Sequence, residues 1–235
     1  MVKTPTILCT GDKGYIASFL FEKIDDAIGI DLKDGVNLLT CDLPKYVDIV
    51  YHLAAQSFVE SSWQDPLHDA DNLRMTMRLV KEYSEARIIY ANSAAAKSPI
   101  MSPYGFSKWA SAEYLKLFHK DYVICTFPNV YGRNDKSVVD KFRSSKKVKV
   151  YGDGLQLRDY VHVDDIIKAL VLAKDWPKGE YELGSGVATS VLQLAEGKEI
   201  EYAPKRKEAR ESLLINNTPN WKPTIKVFDY LNGLN

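Results

Sequence analysis

Three side chains in the middle of the chain have the types and spacing needed to remove a proton from an alcohol. Ser93 comes first, and Tyr104 and Lys108 follow it, four residues apart from each other. The segment after Tyr104 is predicted to be helical, and a spacing of four places both side chains on one helix face. A lysine ammonium beside a phenol favours the phenolate, so Tyr104 could act as a base near neutral pH. Ser93 could donate a hydrogen bond to the same substrate oxygen.

This set needs a nucleotide-binding half upstream, and the start of the chain has the glycines for one. Residues 6–10 form a predicted buried strand, and Gly11, Gly14 and Ala17 follow at its junction with a predicted helix. The two glycines permit a tight turn and a close approach of the backbone to a pyrophosphate, which the helix N-terminus would face. Ala17 still allows close packing of helix on strand. Such spacing also occurs in plain turns, which is the alternative interpretation.

An acidic residue ends the second predicted strand, residues 27–31. Asp31 can accept hydrogen bonds from a ribose 2′-hydroxyl, and its charge would repel a 2′-phosphate. This position therefore predicts NAD rather than NADP as the cofactor. The alternative is a surface aspartate that caps a strand end.

Three further predicted strands lead to the serine. Residues 36–43 are predicted as a third strand that ends in Asp42 and Leu43, where an adenine edge could be held. Residues 48–55 form the next strand, and the small residues at its end let the backbone approach a cofactor. Residues 87–92 then deliver Ser93 at the carboxyl end of a strand, which is where open α/β sheets bind ligands.

Composition argues against several classes of function. Of the 235 residues, 46% are hydrophobic, which is enough for a sizeable core. Lys plus Arg and Asp plus Glu are balanced at 31 each, so nothing points to nucleic acid. No apolar run approaches the roughly 18 residues of a membrane span, and the N-terminal apolar stretch is too short for a signal peptide. Cys9, Cys41 and Cys125 are predicted to be free thiols in a reducing cytoplasm, because their number and spacing do not suit a disulfide framework or a metal site.

These motifs, in this order, carry a resemblance that covers nearly the whole chain. The chain resembles the extended short-chain dehydrogenase/reductases, and more narrowly the NAD-dependent nucleotide-sugar epimerases and dehydratases. The motifs that carry the resemblance are Gly11-x-x-Gly14, Asp31, Asp42-Leu43, His52-Leu-Ala-Ala55, Asn72, Ser93, Tyr104-x-x-x-Lys108, Pro128-Asn-Val-Tyr-Gly132, residues 150–154, 158–165 and 183–186, and Trp221-Lys-Pro223.

The resemblance implies a catalytic role for Ser93, Tyr104 and Lys108. Tyr104 would take the proton of a sugar hydroxyl while hydride passes to the nicotinamide, and Ser93 would polarise the oxygen. Lys108 would bind the nicotinamide ribose and lower the pKa of the tyrosine. The alternative is an ordinary exposed Tyr–Lys pair beside a serine that caps a strand. The implied cofactor-binding set is Gly11, Gly14, Tyr15, Ile16, Asp31, Leu32, Asp42, Leu43, Leu53, Ala54, Ala55, Asn72, Ala91, Tyr104, Lys108 and Phe127.

The implied substrate-binding residues are Ser93, Asn129, Arg158 and Arg206. Asn129 would meet the sugar nucleotide, unless it is only a turn-forming residue. Arg158 would bind the diphosphate, because a guanidinium fork suits phosphate oxygens; the alternative is a surface ion pair with Asp159. Arg206 is chosen from several neighbouring cations as a second phosphate-binding arginine. No metal ligand is expected.

Two alanines separate the activities within the family. Dehydratases that resemble this chain usually have Thr-Asp-Glu where it has Ser93, Ala94 and Ala95. Neither alanine can transfer a proton, so the predicted activity is 4-epimerisation of a nucleotide sugar, in particular a UDP-hexose, with NAD regenerated in each turnover. The alternatives are a dehydratase or keto-sugar reductase on the same scaffold, and a non-catalytic NAD-binding regulatory protein.

The predicted fold class is α/β, a doubly wound Rossmann fold with a mostly parallel sheet and a small discontinuous C-terminal substrate-binding lobe. Residues 1–132 form the predicted NAD-binding domain, to which 155–175 return, and residues 133–154 and 176–235 form the lobe. The resemblance also implies a homodimer that pairs the helix after Asn72 and the helix at residues 104–118, and the free cysteines predict a cytoplasmic location. The candidate contacts are Met75, Met77, Trp109 and Leu117, with intrachain core as the alternative.

Overall fold

The computed structural model describes residues 4–98, 101–133 and 137–234, which form an α/β structure. Its strands are β1 (Ile7–Thr10), β2 (Ile28–Ile30), β3 (Ile49–His52), β4 (Arg87–Ser93), β5 (Tyr122–Phe127), β6 (Asn129–Tyr131), β7 (Lys147–Tyr151), β8 (Leu157–Arg158), β9 (Tyr160–His162), β10 (Gly179–Glu182), β11 (Thr189–Ser190), β12 (Glu199–Ala203) and β13 (Glu211–Ser212). Its helices are α1 (Tyr15–Phe21), α2 (Val59–Ser62), α3 (Pro66–Glu82), α4 (Pro103–Phe118), α5 (Val138–Ser144), α6 (Val163–Ala173), α7 (Val191–Leu194) and α8 (Val227–Leu231), with 3₁₀ turns at Leu32–Asp34 and Ala94–Lys97.

A six-stranded parallel sheet forms the centre, in the order β10-β5-β4-β3-β1-β2. Because all the strands run the same way, their carboxyl ends meet at one edge of the sheet. The register of β4 with β5 pairs Ser93 with Phe127 at that edge. The predicted Rossmann sheet is therefore confirmed, and the end of β4 lies where ligands bind in this architecture.

Helices cover both faces of the sheet because the strands are apolar on both sides. On one face, α1 and α6 pack through residues such as Leu20, Ile166 and Leu170. On the other face, α3 and α4 pack through Leu79 and Leu115. The predicted doubly wound arrangement follows from this division.

The predicted third strand at residues 36–43 is wrong. Asn37 starts a turn there: its side chain accepts from Leu39 N, and its carbonyl oxygen accepts from Thr40 N and Cys41 N. The guanidinium of Arg78 on α3 donates to two carbonyl oxygens of this segment, which a neighbouring strand would otherwise satisfy. As a result β2 is the edge strand of the sheet.

The C-terminal part has a hydrophobic core of its own around Tyr131, Phe142 and Tyr230. Three small sheets support it: a parallel pair of β7 and β12, a parallel pair of β6 and β9, and a three-stranded sheet in the order β11-β8-β13. Strand β10 falls in the stretch 176–235 that the sequence assigned to the lobe, but it pairs with β5 in the central sheet. The rest of the domain division remains a prediction.

No helix among the described residues is both long enough and apolar enough to cross a membrane.

Candidate active site

A cavity of about 950 Å³ opens at the carboxyl ends of β4 and β5 and continues to the small sheets of the C-terminal part. The structure brings together in its lining seven of the residues predicted from the sequence: Ile16, Ser93, Tyr104, Phe127, Asn129, Arg158 and Arg206. The two sets that the sequence assigned to catalysis and to substrate binding thus face one space, with the exception of Lys108, which lies behind its wall.

Tyr104 reaches Ser93 because α4 begins at the right place and packs very closely. Ser102 caps the helix, accepting a hydrogen bond from Gly105 N at 3.0 Å. Gly105 lies against the 3₁₀ turn after Ser93, and a Cβ there would collide with the carbonyl oxygen of Ala95. Only glycine allows this approach, so Gly105 is a positioning residue that the sequence analysis missed.

The pKa of Tyr104 shifts in the direction opposite to the one predicted from the sequence. Burial raises the pKa of Tyr104, the hydrogen bond with Ser93 opposes this rise, and the charge of Asp69 adds to it. Lys108 is 3% exposed, and burial lowers the pKa of its ammonium to about 7. Its Nζ lies 4.2 Å from the ring centroid of Tyr90. Both members of the pair are buried, so the alternative of an ordinary exposed Tyr–Lys pair is wrong.

The glycine turn after β1 has the geometry of a backbone cradle. Gly11 has a φ of +76°, and a Cβ on it would lie 2.7 Å from the N and Cα of Ala54 at the end of β3. A Cβ on Gly14 would lie 2.9 Å from the carbonyl oxygen of Gly11, to which Gly14 N donates at 2.8 Å. Ala17 is buried between α1 and the sheet. A turn that begins and ends with glycines whose backbone is closely approached, directly before a helix, fits the pyrophosphate of a dinucleotide.

Asp31 is held in place at the end of β2. One carboxylate oxygen accepts from Lys33 N at 2.7 Å, and the other accepts from Lys13 N at 3.0 Å. The side chain caps a 3₁₀ turn and still has free acceptor positions on each oxygen. Leu32 next to it is 70% exposed, and Asp42 lies exposed on the irregular segment that replaces the predicted strand. A fixed negative charge at this edge suits a ribose hydroxyl and opposes a 2′-phosphate.

Asn72 on α3 is a clamp on the loop that follows β3. Its Oδ1 accepts from Gln56 N at 2.8 Å, and its Nδ2 donates to Gln56 O and to Ser107 Oγ, each at 3.0 Å. The predicted cofactor contact thus comes with a second role, because the amide fixes the backbone next to Ala54 and Ala55.

His52, which belongs to the motif His52-Leu-Ala-Ala55, has a structural role that the sequence did not predict. Its Nδ1 lies 2.8 Å from Thr10 Oγ1, and its Nε2 lies 3.1 Å from Thr76 Oγ1. Burial lowers the pKa of this imidazole to about 3. The neutral ring therefore ties β1, β3 and α3 together beneath the cofactor cradle.

The other predicted substrate residues, Asn129, Arg158 and Arg206, also line the cavity. Asn129 N and Nδ2 both donate to Asp159 O, at 3.1 and 3.3 Å. Arg158 donates to Glu208 Oε2 at 2.6 Å, so the alternative pairing with Asp159 is wrong. The Asp159 carboxylate instead accepts from the backbone of residues 185 and 186. Arg206 forms an ion pair with Glu60 at 3.0 Å.

Residues 7–184 match the family model described as the NAD dependent epimerase/dehydratase family. A putative UDP-glucose 4-epimerase of Methanocaldococcus jannaschii is 33% identical over 221 residues, which cover 80% of this chain and 70% of that protein. A UDP-glucose 4-epimerase of Mycolicibacterium smegmatis is 29% identical over 292 residues, which cover 93% of each.

A solved structure supports the same assignment. The UDP-glucose 4-epimerase of Thermotoga maritima, crystallised with UDP-glucose, superimposes with a TM-score of 0.80 at 25% identity, covering 98% of this chain and 100% of that one. The fold, the glycine turn before α1 and the Ser93–Tyr104 contact agree with the family match over most of the sequence. The chain therefore belongs to the NAD dependent epimerase/dehydratase family.

Proposed function

We propose that this protein is an NAD-dependent epimerase that inverts C4 of a UDP-hexose. The observation that carries the proposal is the contact of Tyr104 with Ser93 on the wall of a cavity that Arg158 and Arg206 also line. A base thus faces the space where a sugar hydroxyl would lie, and two guanidinium groups face the space for a diphosphate. The relatives named as UDP-glucose 4-epimerases supply the substrate class.

In this proposal the first half of the chain holds NAD. The turn at Gly11 and Gly14 would receive the pyrophosphate and Asp31 the adenosine ribose, with the end of β3 beside them. NAD bound there would supply reversible hydride transfer, which oxidation to the keto sugar and re-reduction require.

Tyr104 is the proposed proton carrier. Its Oη takes the proton of the C4 hydroxyl during oxidation to the 4-keto sugar and gives a proton back after the sugar has presented its other face. Ser93 orients the reacting oxygen, and the positive charge of Lys108, one helical turn along, favours the phenolate. The pKa of Lys108 at about 7 means that this charge is partly present at neutral pH.

The residues after Ser93 favour epimerisation over dehydration. Ala94 and Ala95 line the cavity at the positions where a dehydratase needs a proton donor and acceptor, and methyl groups supply neither. A dehydratase or a keto-sugar reductase is therefore the second candidate, and a non-catalytic NAD-binding protein is the third.

Proton NMR of the purified protein with catalytic NAD and a panel of UDP-, dTDP- and GDP-sugars tests the proposal. The expected result is a C4-inverted UDP-hexose without net NADH. A deoxy-keto product, or NADH formed in proportion to substrate, would replace the epimerase with the second candidate. Bound NAD without turnover of any sugar would favour the third.

Two broader features complete the proposal. Homodimerisation is supported by apolar side chains that α3 and α4 leave at the surface: Met77 is 40% exposed, Trp109 43% and Leu117 74%. Met75 is partly buried and packs against the core of its own chain, which was the alternative to a dimer contact. A cytoplasmic location is supported by three free cysteines, two of which are fully buried.

A further inference from the structure

Two carboxylates face the two arginines of the cavity. Glu208 Oε2 lies 2.6 Å from Nη2 of Arg158, and Glu60 Oε2 lies 3.0 Å from Nη2 of Arg206. All four residues line the same cavity. Each guanidinium offered to an anionic ligand is therefore already neutralised by an acid of the chain itself.

The two ion pairs differ in burial, and this difference decides which carboxylate affects the binding of an anionic ligand. The Arg158 and Glu208 side chains are 12% and 29% exposed, whereas those of Arg206 and Glu60 are 42% and 65% exposed. Water and salt screen the second pair, so its attraction contributes little. The first pair is more shielded from water, so a second anion placed beside Arg158 is repelled by Glu208 with less screening.

Arg158 has a second anchor that does not depend on Glu208. Its guanidinium Nη1 donates to Leu157 O at 2.8 Å. Glu208 in turn receives a weak hydrogen bond from Gln156 Nε2 at 3.4 Å, which a glutamine oxygen could equally accept. The substitution Glu208→Gln therefore removes the charge at position 208 and keeps the side-chain volume there. Arg158 keeps its position through its bond to Leu157 O.

We propose that Glu208 is an internal competitor that sets the affinity of the cavity for a diphosphate. This rests on the proposed function, because it takes a nucleotide diphosphate as the ligand of Arg158. A diphosphate either displaces the Glu208 carboxylate from Arg158 or shares the guanidinium with it, and in both cases the carboxylate weakens binding. Glu208 is thus a residue that determines affinity through charge without touching the reacting sugar carbon.

Calorimetric titration of the NAD-loaded protein with UDP, with inorganic pyrophosphate and with uridine tests this role. Glu208→Gln is expected to bind UDP and pyrophosphate about tenfold more tightly than the wild type, because a like charge next to the ligand is removed. Uridine, which has no phosphate, should bind equally to both. Glu60→Gln, the same change in the exposed pair, should shift the UDP affinity by no more than about twofold.

Glu196→Gln is the control, since Glu196 is exposed and does not line the cavity. If Glu208→Gln does not fold, Glu208→Asp draws the carboxylate back from Arg158 and should give a smaller gain in the same direction. Unchanged or weaker UDP and pyrophosphate binding in the folded variant would overturn the proposal, even if the wild type epimerises UDP-sugars. Tighter pyrophosphate binding without any epimerisation would support the competition and count against the proposed substrate.

Discussion

Tyr104 gives the sharpest residue-level test, because its side chain contacts Ser93 on the wall of the cavity. The substitution Tyr104→Phe removes only the hydroxyl, and loss of a general base typically costs about 10²- to 10⁴-fold in rate. We expect turnover of the UDP-sugar in the NMR assay to fall by that factor while NAD stays bound.

Tyr114→Phe is the matched control, since Tyr114 lies on α4 away from the cavity and packs beside Phe118. The control should retain wild-type turnover. Equal turnover in Tyr104→Phe and in the control would remove Tyr104 from the mechanism.

Lys108 makes the stability of the NAD-free protein depend on pH. Burial lowers its pKa from 10.5 to about 7, so above pH 7 the unfolded chain keeps a proton that the folded chain has lost. The free energy of unfolding should therefore rise as pH increases from about 7 toward 10. Lys108→Met should be flatter over this range in urea titrations at several pH values, compared with Lys81→Met at an exposed site on α3. An identical slope in both variants would contradict the assigned burial.

The contact of Ser93 with Tyr104 could be predicted from the sequence, because Ser93 ends a predicted strand and Tyr104 lies in the predicted helix that follows it. Gly105 and Glu208 could not be predicted in the same way. Gly105 matters because a distant turn packs on it, and Glu208 matters because the chain returns to Arg158 fifty residues later. Contacts of this kind exist only after folding.

At the scale of elements, α3 holds the loop that follows β3 through the side chain of Asn72. Asn72→Ala would remove the hydrogen bonds to Gln56 N and O, and at about 0.5–1.5 kcal/mol for each bond this costs about 1–3 kcal/mol. We expect a loss of that size in the free energy of unfolding, together with weaker NAD binding, because the loop after β3 is released.

Asp71→Ala, one residue earlier on the same helix, is the control. Asp71 forms an exposed ion pair with Arg74, whose loss should cost less than about 1 kcal/mol. Equal destabilisation by the two changes, or NAD binding unaffected in Asn72→Ala, would show that the clamp is unimportant.

The strands of the central sheet were largely predictable, since most are short apolar runs bounded by turn residues. Residues 36–43 share that composition but fold differently. Their carbonyl oxygens bond to Arg78, a partner about forty positions away, and Asn37 closes a local turn. The bonds to Arg78 and the turn at Asn37 leave no periodic pattern in the sequence. The prediction of a strand therefore rested on the apolar residues alone.

At the scale of the whole molecule, the exposed apolar surface of α3 and α4 predicts a dimer. Trp109→Glu places a charge in that surface and should convert the dimer to a monomer in light scattering after size-exclusion chromatography. Tyr202→Glu, at a 60% exposed aromatic residue on β12, should leave the dimer intact. A monomeric wild type, or a dimeric Trp109→Glu, would contradict the proposed interface.

The short edge strand β2 also affects how the protein avoids aggregation. An unpaired sheet edge can recruit a strand from another molecule. Here the edge strand is only three residues long, with Gly29 at its centre. The Asp12 carboxylate lies so close that a Cβ on Gly29 would be 2.6 Å from its Cγ. A strand from another molecule would have few backbone groups to pair with and would meet the Asp12–Lys13 ion pair, so this edge of the sheet disfavours intermolecular β-pairing.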